Sequence, residues 1–201
     1  LPIYIHDQPS FSPMELKLQA NKWKRENGVK MIFVDYLQLM TANGKNNTGN
    51  REQEISSISR SLKATAKELE IPVMALSQLS RAVETRGGMK RPILSDLRES
   101  GAIEQDADLI LFLLRAEYYK ISEWDDDERT PSEGTAEITV AKFRGGETGS
   151  FLVGAQLQYM RFHNLESKPW EKTQLTPQDP KDAFDSPQEY TSEEEEDDLP
   201  F

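Results

Sequence analysis

The sequence has no cysteine, which excludes a disulfide framework and any thiolate metal centre. It has two histidines, His6 and His163, and neither has a partner at ligand spacing, so both read as ordinary surface residues. No apolar run approaches the roughly 20 residues that cross a bilayer, and no signal-type h-region follows the start. The expectation is therefore a soluble intracellular protein located in the cytoplasm. A basic excess is also missing. The net charge is −11, of which −9 falls in residues 166–201 and −2 in the preceding body. A near-neutral body binds nucleic acid only through a local basic patch. Hydrophobic residues make up 36% of the chain, which is modest and leads us to expect that part of it stays outside the core. The first residue is Leu1, not Met, so the expectation is a chain that starts further upstream.

The stretch that organises the rest is M-I-F-V-D-Y-L-Q-L-M, residues 31–40. Four apolar residues without alternation predict a short strand buried on both faces, ending in the single carboxylate of Asp35. Ligands of open α/β sheets bind outside the carboxyl ends of the strands, where one Asp can hold Mg²⁺ for a nucleotide. Residues 2–5 read as a further short strand. The segment S-P-M-E at 12–15 carries a capping box with proline at the first helical position, and Gly28 is a suitable stop. The residues between form a helix with Leu16, Ala20 and Trp23 on one face.

Residues 41–50 are rich in Gly and Asn and read as an exposed mobile loop. Ile55, Ile58, Leu62, Ala66 and Leu69 then repeat at helical spacing up to Pro72. Residues 72–78 form a second buried-type strand ending in the polar pair Ser77 and Gln78. Residues 81–91 are basic and loosened by Gly87 and Gly88, and D-L-R-E-S-G at 96–101 reads as a short helix. Residues 109–114 give a third strand. Residues 123–133 are an acidic insertion of the kind that tolerates length change. Residues 136–142 and 151–156, joined through R-G-G-E-T-G, make an antiparallel hairpin placed at the sheet edge. The fold class is α/β, with a mainly parallel sheet, flanking helices and a C-terminal antiparallel hairpin. Residues 1–165 form the folded unit, and residues 166–201 an acidic tail expected to be disordered.

Strand-Asp, strand-Ser-Gln, a basic loop before D-L-R-E-S-G, and a hairpin with Lys-x-Arg-Gly together resemble the C-terminal RecA-like motor domain of replicative DNA helicases of the DnaB family. The segments V-D-Y-L-Q-L-M, A-L-S-Q-L-S-R and R-P-I-L-S-D-L-R-E-S-G-A-I-E-Q-D-A-D-L-I carry the resemblance, which runs from about residue 1 to 165. It implies a 5′–3′ helicase motor that uses ATP and Mg²⁺, translocates on single-stranded DNA as a homo-hexamer, and meets a primase and a helicase loader. It implies that Asp35 is the Walker B carboxylate holding Mg²⁺ and that Gln78 is the sensor coupling the γ-phosphate to the DNA side. Arg98, Glu99 and Gly101 match the family's DNA-contacting loop. There the arginine and free backbone N–H groups suit phosphates, and Glu99 holds a neighbouring cation. Lys142 and Arg144 match the pair that reaches a neighbouring subunit's γ-phosphate as an arginine finger.

The sequence also departs from the family. It contains no G-x-x-x-x-G-K-[ST], so the phosphate-cradling loop is missing, and the general-base glutamate lies upstream. The expectation is that this chain alone hydrolyses no ATP. Two alternatives remain open: a non-catalytic module that enters a helicase ring or recruits partners, and a related recombination or phage helicase. The terminal D-D-L-P-F, residues 197–201, separately resembles the acidic tip of bacterial single-stranded-DNA-binding proteins. That resemblance implies a replication partner with an apolar pocket rimmed by basic residues.

Overall fold

The structure, a computed structural model, describes residues 2–8, 10–42 and 51–165; the side chains of residues 98–100 lie outside that description. Helix α1, Pro13–Asn27, starts as its sequence dictates. Glu15 N donates to Ser12 Oγ at 3.3 Å, and Ser12 N donates to the Glu15 carboxylate at 2.8 Å. The helix stops at Gly28, where φ is +65°, a conformation that suits a residue with no Cβ. Helix α2, Arg51–Leu69, buries Ile55, Ile58, Leu62, Thr65 and Leu69. Thr65 rather than Ala66 takes the inward position, because the buried stripe advances by alternating threes and fours. Its hydroxyl is satisfied by the Ser61 carbonyl at 2.9 Å.

Strands β1, Ile32–Val34, and β2, Val73–Ala75, pair in parallel with Phe33 opposite Met74. Helices α1 and α2 cover one face of this pair. Leu16, Ile55, Ile58 and Leu62 share a cluster with Ile32, Val34, Val73 and Ala75. The other face is bare, and Phe33 is 67% exposed. The expectation that this strand is buried on both faces is therefore corrected: the described residues supply a helical layer on one side only.

A short helix α3, Ala82–Thr85, follows β2, and a 3-10 segment Leu94–Ser100 runs into α4, Gly101–Asp106. Strands β3, Leu109–Leu114, β4, Thr135–Phe143, β5, Gly149–Gln156, and β6, Arg161–Asn164, form an antiparallel sheet in that order. The α/β class stands, with the parallel part confined to β1 and β2 among the described residues. The hairpin does not lie at the sheet edge, because β4 pairs on both sides and β6, absent from the sequence reading, flanks β5. Gly154 permits that last pairing, since a Cβ there would meet the His163 ring at 2.2 Å.

Residues 2–5 form no strand. They have no hydrogen-bonded neighbour strand among the described residues, and ring contacts hold the segment instead. Tyr4 lies 5.8 Å from Trp23 and His6 lies 4.8 Å from Phe11. The acidic insertion is anchored rather than freely variable. Trp124 is 2% exposed, and its Nε1 donates to Thr135 Oγ1 at 2.8 Å. Most of the Gly-rich loop expected at 41–50, the acidic tail and its tip Asp197–Phe201 lie outside the described residues.

Ile58 has no exposed surface and sits where α2 meets the sheet and the α4 region. Ile58→Ala removes buried methyl groups and leaves a cavity, so stability is expected to fall by about 2–5 kcal/mol. The urea midpoint should drop with little change in m.

Candidate nucleotide and nucleic-acid site

Asp35 follows β1 directly, at the carboxyl end of the strand. It is exposed and makes no hydrogen bond or ion pair among the described residues, and its peptide bond to Tyr36 is cis. The β1–β2 ladder continues beyond the strands themselves. Leu76 N donates to Val34 O at 2.9 Å and Leu37 N to Leu76 O at 2.9 Å. Gln38 joins the two exits: its Nε2 donates to Ser77 Oγ at 3.1 Å, and its Oε1 accepts from Gln78 N at 3.2 Å. Asp35 and Gln78 therefore stand on one rim, with the Gln78 side chain exposed. Arg51 secures this rim from α2 by donating to the Gln38 carbonyl at 2.8 Å. Sequence reasoning missed the bridging roles of Gln38 and Arg51. Gln38 lay inside a motif already singled out, whereas Arg51 carried no local signal.

Beside the rim a cavity of about 590 Å³ opens between the exits of β2 and β3, lined by Gln78, Ser80, Arg81, Leu113, Arg115 and Tyr119 among others. Val73, Ala75, Ile110 and Phe112 share one core cluster, yet β2 and β3 are not hydrogen-bonded to each other. Each keeps a free edge among the described residues. Above that gap Leu109, Leu111 and Leu113 are 44%, 46% and 53% exposed, which continues the bare face of Phe33 and Met74.

Lys142 and Arg144 lie at the opposite end of β3, since Leu109 pairs with Phe143 and Leu114 with Glu137. Lys142 pairs with Ile110 and Arg144 lies level with Asp108, so along the strand they stand about 10 and 17 Å from the cavity edge at Leu113. Lys142 Nζ donates to the Glu104 carbonyl, and Arg144 Nη2 donates to the Gln105 carbonyl at 2.5 Å. Both cations thus cap the C-terminal end of α4, where carbonyls lack intrahelical donors. Burial, and next the neighbouring Arg144 charge, pull the Lys142 ammonium below the ordinary lysine range. Arg144 also faces Asp108 at 3.8 Å. The structure does not bring this pair to Asp35.

Gly101 opens α4 and is exposed, with nothing within 4 Å of a Cβ added there. Arg98 and Glu99 fall in the 3-10 segment that leads to it, and their side chains lie outside the description. The preceding basic loop is not loose. Arg91 is gripped by two carboxylates, with Nη1 and Nη2 donating to Asp125 at 2.7 and 2.6 Å and Nε donating to Glu137 at 2.8 Å. The Asp125 carboxylate, and after opposing burial that of Glu137, holds this guanidinium protonated more firmly than usual.

The chain matches the family described as the DnaB-like helicase C terminal domain over residues 1–164. The chain belongs to this family. It is 45% identical to the replicative DNA helicase DnaB of Geobacillus stearothermophilus over 175 residues, covering 87% of this chain and 36% of that protein. It is 51% identical to the Pasteurella multocida replicative helicase over 164 residues, covering 81% and 33% respectively. A solved structure of a DnaB-like replicative helicase, studied for its interactions with primase, superposes with a TM-score of 0.70 at 43% identity, over 80% of this chain and 36% of that one. A separately solved ATPase domain superposes with the same TM-score of 0.70 at 43% identity, over 80% of this chain and 54% of that structure. This DnaB-like domain therefore spans about a third of the length of its full-length relatives.

The Asp125 carboxyl is held below the ordinary range, chiefly by hydrogen bonds from Arg91, and the Asp108 carboxyl by Lys63. A carboxylate with a depressed folded-state pKa stabilises the DnaB-like domain fully above its unfolded value of about 3.9. That stabilisation is lost as pH falls through the lower folded value. Asp125 is 54% exposed, so solvent screening limits its share to a few tenths of a kcal/mol. Urea midpoints taken from neutral pH to below the carboxylate range should fall with acid, and Asp125→Asn should flatten part of that fall. An identical pH slope in the variant would remove Asp125 from the account.

Proposed function

We propose that this chain is the C-terminal part of the motor of a replicative DNA helicase that couples ATP hydrolysis to movement along single-stranded DNA. The observation that carries the reading is the family match over residues 1–164, with Asp35 and Gln78 held on one sheet rim by Gln38. In this reading Asp35 would supply an oxygen ligand to Mg²⁺. The fit is chemical: Mg²⁺ is bound by one or two carboxylates plus waters and substrate phosphates, and Asp35 is an exposed carboxylate with no competing partner among the described residues. When bound, the ion would supply charge neutralisation at the transferring phosphoryl group. Gln78 presents an amide to the same rim. Arg98 and the backbone at Gly101 meet DNA phosphates, which position the strand without reading its sequence.

The gap between β2 and β3 supports a motor completed by further polypeptide. Among the described residues, two free strand edges over a shared core, beneath a bare apolar face, suit one additional strand, and exposed edges of this kind are usually covered. A strand emerging at the cavity beside Gln78 places a phosphate-binding loop within reach of Asp35. The relatives have about two thirds of their length beyond the part this chain matches. Lys142 and Arg144, at the far end of β3 from that cavity and turned onto the α4 carbonyls, fit service to a neighbouring subunit in a homo-hexamer better than service to their own site.

The test is ATP hydrolysis and strand separation by the full-length protein that carries this sequence, with the 201-residue chain assayed beside it. Full-length protein should hydrolyse ATP, faster with single-stranded DNA, and the chain alone should be silent. A full-length protein without DNA-stimulated hydrolysis would leave the non-catalytic binding module as the reading to pursue.

A further inference from the structure

Asp96 joins two segments to which the proposed function gives different tasks. It is 4% exposed. Its carboxylate accepts both Arg86 Nη2 at 2.6 Å and Arg86 Nη1 at 3.0 Å, and also the backbone N–H of Ile93 at 2.8 Å. Its backbone carbonyl accepts the N–H of Ser80 at 2.9 Å. Ser80 is two residues beyond Gln78 on the β2 exit, and Arg98 is two residues beyond Asp96. The segment leaving the nucleotide rim and the segment entering the DNA-contact loop are therefore fastened to each other at one buried residue.

The fastening is braced from behind. Arg86 Nη1 also donates to the Arg91 carbonyl at 2.6 Å, and Arg91 is clamped by Asp125 on the anchored insertion and Glu137 on β4. The two-pronged contact favours one geometry, and although Arg86 is 31% exposed, losing it leaves the buried Asp96 carboxylate uncompensated in a poorly solvated place. A displacement of the Gln78 segment is then transmitted to residues 96–101 rather than absorbed in the loop between them. Chains of packed hydrogen bonds and ion pairs are the physical carriers of such coupling, and demonstrating it requires a measurement of coupling.

We propose that Arg86 and Asp96 are positioning residues that couple the nucleotide rim to the DNA-contact loop, so that the Arg86–Asp96 ion pair sets how strongly single-stranded DNA stimulates ATP hydrolysis. This rests on the helicase reading above. Neither residue touches nucleotide or DNA in this scheme. Both act through the segments they hold.

The test uses the full-length protein with oligothymidylate as the DNA probe, comparing the unsubstituted protein, Arg86→Gln, Asp96→Asn and the double variant. Asn at 96 can still accept the Ile93 N–H, so the turn is retained while the ion pair is removed. Arg86→Gln should keep DNA-free hydrolysis within about twofold and lose about tenfold of the DNA-stimulated rate. The double variant should be no worse than either single one, as expected for two halves of one interaction. Arg86→Lys, which keeps the charge without the two-pronged contact, should fall between. Hydrogen exchange on this chain should show faster exchange at Ser80 N–H in Arg86→Gln. Full DNA stimulation in Arg86→Gln, equal loss of basal and stimulated rates, or additive effects in the double variant would each overturn the inference while leaving the helicase reading in place. No DNA stimulation in the unsubstituted protein would overturn both.

Discussion

Asp35→Asn is expected to lower ATP hydrolysis by the full-length protein about a hundredfold or more and to leave the folding of this chain unchanged. The two halves of the expectation have separate grounds. Asp35 is exposed and unpartnered among the described residues, and surface changes of that kind move stability by no more than about 0.5 kcal/mol. Asn keeps the size and one acceptor oxygen but loses the charge that a hard divalent cation requires. Removing one preorganised electrostatic group from a phosphoryl or acyl transfer site typically costs about 10²–10³ in kcat. Steady-state kcat with thermal unfolding of the same preparation checks both. A variant that hydrolyses ATP at the unsubstituted rate would take Asp35 out of the metal site.

Arg144→Ala is expected to lower the DNA-stimulated rate by about 10³, the range for loss of an arginine finger. Its geometry explains why the loss should appear between subunits. Arg144 stands at the end of β3 opposite the rim, and within its own chain it holds the end of α4 through the Gln105 carbonyl at 2.5 Å. That exposed contact is worth little to stability, so the variant should fold. Mixing Arg144→Ala with Asp35→Asn separates the two geometries. In a ring with fingers acting in trans, an equimolar random mixture restores on the order of a quarter of the interfaces, each with an intact Asp35 facing an intact Arg144. Activity should therefore reappear from two inactive proteins. A finger acting on its own subunit's nucleotide would give none.

The two variants also show how unevenly the site was legible in the sequence. Asp35 and Gln78 could be read because each ends a short apolar run, and the carboxyl ends of neighbouring parallel strands share a rim. Their link through Gln38 could not, because an amide within V-D-Y-L-Q-L-M gives no sign of which strand it faces. The third strand was found, but its place was not. The run L-I-L-F-L-L is apolar throughout, so nothing in it says that burial alternates along β3 or that the strand pairs antiparallel with β4 rather than directly with β2. The insertion at 123–133 read as a segment that tolerates length change, from its acids and proline. Trp124 reverses that impression, since its ring fills a small core with Leu114 and Ala116 and its N–H is satisfied by Thr135.

The sequence by itself determined what depends on neighbours within a turn or two. The Ser12 cap and Gly28 stop fix α1, the three-and-four spacing fixes α2, and two apolar runs ending in Asp35 and Ser77-Gln78 fix the rim. The motif order fixed the family. Only the tertiary structure decided which sheet face the helices cover, that β2 and β3 share a core without hydrogen-bonding to each other, and that the Lys142–Arg144 pair rests on α4. It alone showed that Arg91 reaches Glu137 across 46 residues and that Arg86 and Ser80 converge on Asp96. The reason is physical. Caps and periodicity are set by backbone geometry over a few residues, whereas an ion pair between distant segments depends on how whole layers pack, and that leaves no regular spacing in the chain.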